Sequence, residues 1–275
     1  MADPFVRVLT DPYFQKVLLV ACLVAATAAV LGVFLVLRGL SLFGDGVAHI
    51  SFAGIALAVA TGWAPLPVTL AVAILGALAI QELRRRGILR GDAAIGLVFT
   101  TALALGFLIA QQARTFVDLE SYLFGSLYLS GDNASLLLVA ATAGATLAIV
   151  LLLWRRLFAV TFNQEAAEVQ GLRVRLLETL FTLLTAAAVV VAARVVGVLL
   201  VASLVVVPAA SALQVARGFR NALWLSPLVG VAAVVGGVAL SAEFRVTGGP
   251  AVTLAGAVLF LVAAAAGKVG RRTRA

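Results

Sequence analysis

The sequence predicts an all-α membrane protein with about nine transmembrane helices, eight being the lower count. Hydrophobic residues make up 63% of the 275 positions and charged residues 12%, whereas soluble domains have about 45–50% and about 25%. The apolar residues form continuous runs close to the ~20 residues that a helix needs to cross a bilayer. The alternating pattern typical of a transmembrane β-barrel is not seen. We therefore expect one transmembrane domain over residues 1–275.

Nine apolar runs mark the predicted spans. The first is too long for the core of a signal peptide, so we expect it to remain as a helix. The least certain boundary lies between Leu176 and Ala216, where only Arg194 interrupts the run. We expect two helices with a tight turn at Arg194, and a re-entrant piece broken near Pro208 is the alternative. The spans cover about 15–37, 46–62, 65–83, 93–111, 134–154, 176–193, 195–216, 221–241 and 250–268.

The basic residues predict how the helices are oriented. The net charge of +8 would suggest nucleic acid for a soluble protein, but in a membrane protein Lys and Arg collect in cytoplasmic loops. If the basic loop 81–92 is cytoplasmic, 15 of the 20 lysines and arginines fall on that side. This arrangement places the N-terminus outside and the C-terminus in the cytoplasm. Cys22 is the single cysteine, which excludes a disulfide framework and a cysteine metal site.

One acidic residue and the single histidine stand together in an apolar stretch. Asp45 precedes His49 by four residues, a spacing that puts both side chains on one face of a helix. Carboxylate and neutral imidazole are ligands for zinc or manganese, and ionisable groups inside a membrane usually mark a functional site. Two alternatives stay open: Asp45 as a helix N-cap and His49 as a packed core residue. The remaining metal ligands would come from water, other helices or a second copy.

A second polar feature lies in the longest predicted cytoplasmic loop, at about 155–175. Glu165, Ala166 and Ala167 favour a short helix, and Gly171 is suited to end it. The simple interpretation is a solvated loop helix. The alternative is a docking site for a cytoplasmic partner.

Several catalytic functions are excluded by missing motifs. The phosphate-binding pattern G-x-x-x-x-G-K-[ST] does not occur, and one histidine cannot supply H-E-x-x-H. An intramembrane zinc protease is therefore not expected. If ATP drives this protein, a separate subunit binds and hydrolyses it.

Four ordered segments resemble the integral-membrane permease subunits of bacterial zinc, manganese and iron ABC importers, of the high-affinity zinc-uptake type. Residues 38–49 are similar to that family's R-x-x-S-x-F-G-D-x-x-x-H pattern, and residues 121–126 to its Y-L-F-G-D/S pattern. Residues 195–212 and 247–250 resemble its V-G-x-L-L…P-A-A-x-A stretch and its final S/T/A-G-P turn. This chain has Ser126 where relatives often have Asp, which weakens a metal role for that segment.

The resemblance implies a type II ABC-importer-like bundle in the bacterial plasma membrane. It implies that Asp45 and His49 contact the metal, and that Glu165, Ala166, Ala167 and Gly171 form a helix seated in a cytoplasmic ATP-binding cassette ATPase. The other implied partners are a second copy of the chain and an extracellular or periplasmic metal-binding protein, with no nucleic acid. It further implies a transporter subunit rather than an enzyme, with no cofactor of its own. The cargo that it implies is Zn²⁺, or alternatively Mn²⁺. Two rival functions remain, a stand-alone metal carrier and an ABC permease for metal chelates such as siderophores.

Overall fold

The structure is a computed structural model that describes residues 12–89, 91–113, 133–244 and 246–272. The regular structure within those ranges is entirely helical, which confirms the predicted class. Ten α-helices are present there, with a 3₁₀ turn at Val198–Leu200 before α8. They are α1 Pro12–Leu37, α2 Phe43–Thr61, α3 Pro65–Arg85, α4 Asp92–Ala113, α5 Asn133–Phe162, α6 Gln164–Val169, α7 Val174–Val196, α8 Val201–Val215, α9 Phe219–Phe244 and α10 Gly248–Arg272. Eight are long and apolar enough to cross a membrane, and α6 and α8 are shorter.

Helix α1 lies at the centre of the bundle and packs against α5, α7, α8 and α9. Thr27 Oγ1 donates to the Ala143 carbonyl of α5 at 3.2 Å, and Ser226 Oγ of α9 donates to the Ala29 carbonyl at 2.8 Å. Such hydrogen bonds between membrane helices contribute about 0.6 kcal/mol each. A Cβ at Gly32 would overlap the Val205 carbonyl of α8. The lack of a side chain at Gly32 therefore allows these two backbones to meet.

Several basic residues of the described chain lie at one end of the bundle, which we call the arginine-rich end. There Arg38 Nε donates to Thr161 Oγ1 at 3.0 Å, which joins the C-terminal ends of α1 and α5. Gln81 Nε2 donates to Thr179 Oγ1 at 3.2 Å, which joins the end of α3 to the start of α7. Phe219, at the start of α9, packs 5.3 Å from Phe34. The charge bias predicts that this end is cytoplasmic. Basic residues in these helix ends and turns include Arg38, Arg84–Arg86, Arg155, Arg156, Arg173, Arg175, Arg217 and Arg220.

The break between α7 and α8 is at Gly197, so the predicted turn at Arg194 is wrong. Arg194 lies in the last turn of α7, whereas Gly197 has φ 97° and ψ 149°, a conformation that favours glycine. The 3₁₀ turn follows, and α8 then continues through Pro208. With 15 residues, α8 is about 22 Å long and too short to cross the hydrocarbon core. Val196, Val198 and Val201 are buried, so protein surrounds this irregular backbone, as a membrane interior requires.

Helix α5 extends beyond its predicted span. It runs through 30 residues to Phe162, about 45 Å, whereas the sequence predicts an end at Trp154. The first part of the predicted loop 155–175 is therefore helical, and α6 follows after one residue. Residues 114–132 lie outside the described chain, and they include the 121–126 segment on which part of the resemblance rests.

Candidate metal pair and coupling segment

A tight turn leads from α1 into α2. Gly39 has φ 66°, its N–H bonds the Val36 carbonyl at 3.1 Å, and the Leu40 N–H bonds the Leu35 carbonyl at 2.8 Å. These two hydrogen bonds form a Schellman motif, which requires a left-handed residue such as glycine. Helix α2 then begins at Phe43, and its N-cap residue makes no side-chain capping bond.

Asp45 is the third residue of α2, so the N-cap alternative for Asp45 is wrong. It lies in the first turn, where a negative charge interacts favourably with the helix dipole. His49 follows one turn later, about 9 Å along the axis from the start of the helix. Both residues therefore lie nearer to the arginine-rich end than to the other end of α2.

The structure brings Asp45 and His49 together. His49 Nδ1 is 2.9 Å from the Asp45 backbone carbonyl oxygen and 3.5 Å from Asp45 Oδ1. A carbonyl oxygen only accepts hydrogen bonds, so Nδ1 is the donor and Nε2 keeps a lone pair in the neutral ring. The two side chains are 16% and 34% exposed for His49 and Asp45, respectively. A carboxylate and one imidazole nitrogen are thus left for a ligand.

Phe99 of α4 is a neighbour of this pair that the sequence does not predict. Its ring meets the His49 ring edge-on, with the centroids 5.1 Å apart. Helix α4 comes this close because Gly46 has no side chain, and a Cβ there would lie 2.5 Å from Ile95. An apolar helix gives no spacing signal that would single out Phe99.

The pair alone does not supply enough ligands for a metal site. Across the described residues there is no cluster of three or more His, Cys, Asp or Glu side chains that could hold a metal ion. A tetrahedral zinc site needs four ligands. An ion bound there would need further ligands, from water, from other helices or from a second copy of the chain.

The predicted coupling residues lie on a separate element, α6. Asn163 caps this helix, because its side chain accepts the Ala166 N–H at 2.9 Å. Gly171 has φ 79° and ends the segment in a second Schellman motif, with Leu172 N bonded to the Ala167 carbonyl at 3.1 Å. Asn163 is missing from the predicted set, although an Asn directly before a helix-forming run is a recognised cap signal.

Helix α6 presents one face to its own chain and the other to solvent. Ala167 is buried, in a cluster with Val160, Val174 and Leu177 from the ends of α5 and α7. Glu165, Ala166 and Glu168 are exposed, and Val169 is 90% exposed. Helix α6 therefore projects from the chain between the ends of α5 and α7. It is a separate element from the helix that carries Asp45 and His49.

Residues 10–267 match the ABC 3 transport family. The chain belongs to this family. This chain is 28% identical over 263 residues to the manganese import system permease protein ScaB of Streptococcus gordonii. The match covers 95% of this chain and 94% of ScaB. It is 28% identical over 246 residues to the high-affinity zinc uptake system membrane protein ZnuB of Haemophilus influenzae, covering 89% and 94%. It is 33% identical over 267 residues to a probable iron transport system membrane protein of Haemophilus influenzae, covering 96% and 93%.

The fold of this ABC 3 chain matches a solved transporter. The structure of PsaBC from Streptococcus pneumoniae in complex with Fab superposes with a TM-score of 0.84 at 27% identity, covering 94% of both chains. The protein is therefore a multi-pass plasma-membrane permease subunit of a metal ABC importer, and a separate subunit is the ATPase. This result confirms the resemblance and decides against a stand-alone carrier. The comparisons do not choose among manganese, zinc and iron.

Proposed function

We propose that this permease carries Zn²⁺, with Mn²⁺ as the alternative, and that Asp45 and His49 contact the ion in transit. The observation that carries the proposal is the hydrogen bond from His49 Nδ1 to the Asp45 carbonyl, which leaves Nε2 and a partly exposed carboxylate on one helix face. Both ions take an imidazole nitrogen and a carboxylate oxygen as ligands. Similarity to ZnuB supports zinc, and similarity to ScaB supports manganese.

An incomplete site suits a transporter. A closed set of four ligands would hold the ion and prevent its release, whereas transport needs sites that release their ligand readily. We propose that two copies of the chain face each other across a twofold axis. Asp45 and His49 would then recur on both sides of the path. Covering these partly exposed polar groups with protein or water is favourable, because a carboxylate facing lipid is costly.

We further propose that α6 is the contact with the ATPase. Glu165, Ala166 and Val169 would enter a groove on that subunit, and Gly171 returns the chain to α7. Val169, which is exposed, would add apolar area to this contact, since removing apolar surface from water is favourable. A metal-binding protein on the other side of the membrane would deliver the ion.

The experiment is uptake by the complete transporter in proteoliposomes. The permease is reconstituted with its ATPase and metal-binding protein, and ATP-driven entry of zinc and manganese is measured separately and in competition. We expect ATP-dependent uptake with zinc preferred. A preference for manganese would mean that the cargo is Mn²⁺ rather than Zn²⁺, and would leave the proposed role of Asp45 and His49 unchanged. Uptake of metal chelates alone, or uptake by the permease without ATPase, would contradict the proposal.

A further inference from the structure

Arg38 lies between the metal pair and the coupling segment. It directly follows α1 and lies seven positions before Asp45. Its guanidinium reaches away from α1 toward two other helices. Nε donates to Thr161 Oγ1 of α5 at 3.0 Å, and Cζ lies 4.4 Å from the centre of the Phe181 ring of α7.

Both contacts fall on the helices that hold α6. Thr161 is two residues before Asn163, the cap of α6. On the other side, Glu178 of α7 accepts a hydrogen bond from Gln164, the first residue of α6, at 2.6 Å. The ends of α5 and α7 and the inner face of α6 share one apolar cluster. A displacement of α6 should therefore carry the ends of α5 and α7 with it.

The connection from Arg38 to Asp45 is short and stiff. The two hydrogen bonds around Gly39 close the end of α1, and the Phe43 N–H bonds the Leu40 carbonyl at 3.0 Å. Leu40 and Phe43 are buried, which fixes the turn against the core. A force on the Arg38 side chain is thus passed to the first turn of α2, where Asp45 lies.

The surroundings of Arg38 compensate its charge only in part. Burial lowers the pKa of the guanidinium to about 10, and the negative charge of Glu178 opposes that shift. Arg38 Nη2 is buried and has no hydrogen-bond partner within the described residues, which is unfavourable for a charged donor. Glu178 also lines a cleft of about 330 Å³ between α3 and α7. Glu178, whose charge acts on the guanidinium, lies on α7, the same helix as the Phe181 ring that the guanidinium contacts.

We propose that Arg38 is a positioning residue that transmits movement of the α5–α6–α7 ends to the start of α2 and so to the Asp45–His49 pair. This inference rests on the proposed roles of α6 and of the metal pair. Arg38 contacts neither the ion nor the ATPase in this account. Its function is to couple movement of α6 to movement of the Asp45–His49 pair during the transport cycle.

The test compares Arg38→Gln and Arg38→Lys with the control Arg156→Gln, which changes an exposed arginine near the same end of α5. The complete transporter is reconstituted, and ATP hydrolysis and metal entry are measured together. We expect Arg38→Gln to retain the ATPase subunit and its hydrolysis. Metal imported per ATP should fall by about tenfold, within the usual range of coupling between linked sites. Arg38→Lys should fall less, because it keeps the charge without the planar fork. The control should match wild type.

Two further variants keep the test decisive if Arg38→Gln does not fold. Thr161→Val and Glu178→Gln should each lower the metal imported per ATP, and Thr161→Val should add nothing in the Arg38→Gln background. Unchanged metal import per ATP in folded Arg38 variants would overturn the inference. If Glu165→Lys still binds the ATPase, or Asp45 and His49 variants transport normally, the proposed function fails instead.

Discussion

The backbone carbonyl of Asp45 orients the His49 ring, and the Asp45 carboxylate lies beside the same ring nitrogen. Its Nδ1 donates to the Asp45 carbonyl oxygen at 2.9 Å, while Asp45 Oδ1 lies 3.5 Å from the same nitrogen. Since Nδ1 is engaged, Nε2 is the nitrogen that a metal ion would meet. Such a hydrogen bond fixes both the tautomer and the ring direction of a metal-binding histidine.

The edge of Phe99 should help to hold that ring direction. We expect Phe99→Ala to raise the metal concentration for half-maximal uptake by up to about tenfold, because groups that orient metal ligands commonly have effects of that size. The maximal rate should change less. Phe107→Ala is the matched control, because Phe107 is also on α4 and packs 5.1 Å from Phe52 of α2. Equal effects of the two variants would mean that only helix packing is involved.

Charge reversal on α6 should weaken the complex with the ATPase. Glu165 is exposed in the first turn of α6, so Glu165→Lys alters the proposed contact without entering the core. We expect less ATPase to co-purify with the permease, with permease levels unchanged. Glu243→Lys serves as the control, because Glu243 is an exposed acid near the far end of α9. An unchanged complex in Glu165→Lys would count against α6 as the contact.

Substitutions of Gly171 test whether the backbone conformation at the end of the α6 segment matters for binding of the ATPase. No atom lies within 4 Å of a Cβ placed there, so the penalty of Gly171→Ala comes from the left-handed backbone alone, about 1–2 kcal/mol. We expect Gly171→Ala to reduce binding of the ATPase and Gly171→Asn to be milder, since Asn tolerates this conformation. Gly218→Ala, with equal space and no positive φ, should have no effect. Equal binding by the Ala and Asn variants would contradict this explanation.

Close packing of α1 on α8 should limit stability. We expect Gly32→Ala to destabilise the permease by about 1–3 kcal/mol, since overpacking forces backbone shifts, and to lower its melting temperature in detergent. Gly96→Ala on α4 meets open space and should be close to wild type. A melting temperature unchanged in Gly32→Ala would show that α1 and α8 separate without cost.

Hydropathy was sufficient to predict most helices but not their ends. The fourth span, predicted at 93–111, is observed at Asp92–Ala113, because an apolar run bounded by polar residues must span as a helix. The break near Arg194 was misplaced because charge was used to find it. The backbone instead breaks at Gly197, where φ is positive. Helix α5 continues to Phe162 because helix formation outside the membrane does not depend on hydropathy.

The candidate site could be predicted only in part. The i, i+4 spacing was enough to place Asp45 and His49 on one face, since helix geometry determines it. The contact with Phe99 and the position of Arg38 against Thr161 and Phe181 depend on how distant helices pack. No local pattern in the sequence encodes those contacts.

The central claim is that Asp45 and His49 contact the metal in transit. The most direct measurement is the initial rate of ATP-driven metal uptake in proteoliposomes containing Asp45→Asn or His49→Gln, with Asp92→Asn as the exposed acidic control. We expect each site variant to lose at least about tenfold in rate, equivalent to roughly 1.4 kcal/mol, while the ATPase remains bound and the control stays near wild type. Wild-type uptake by both site variants would contradict the account.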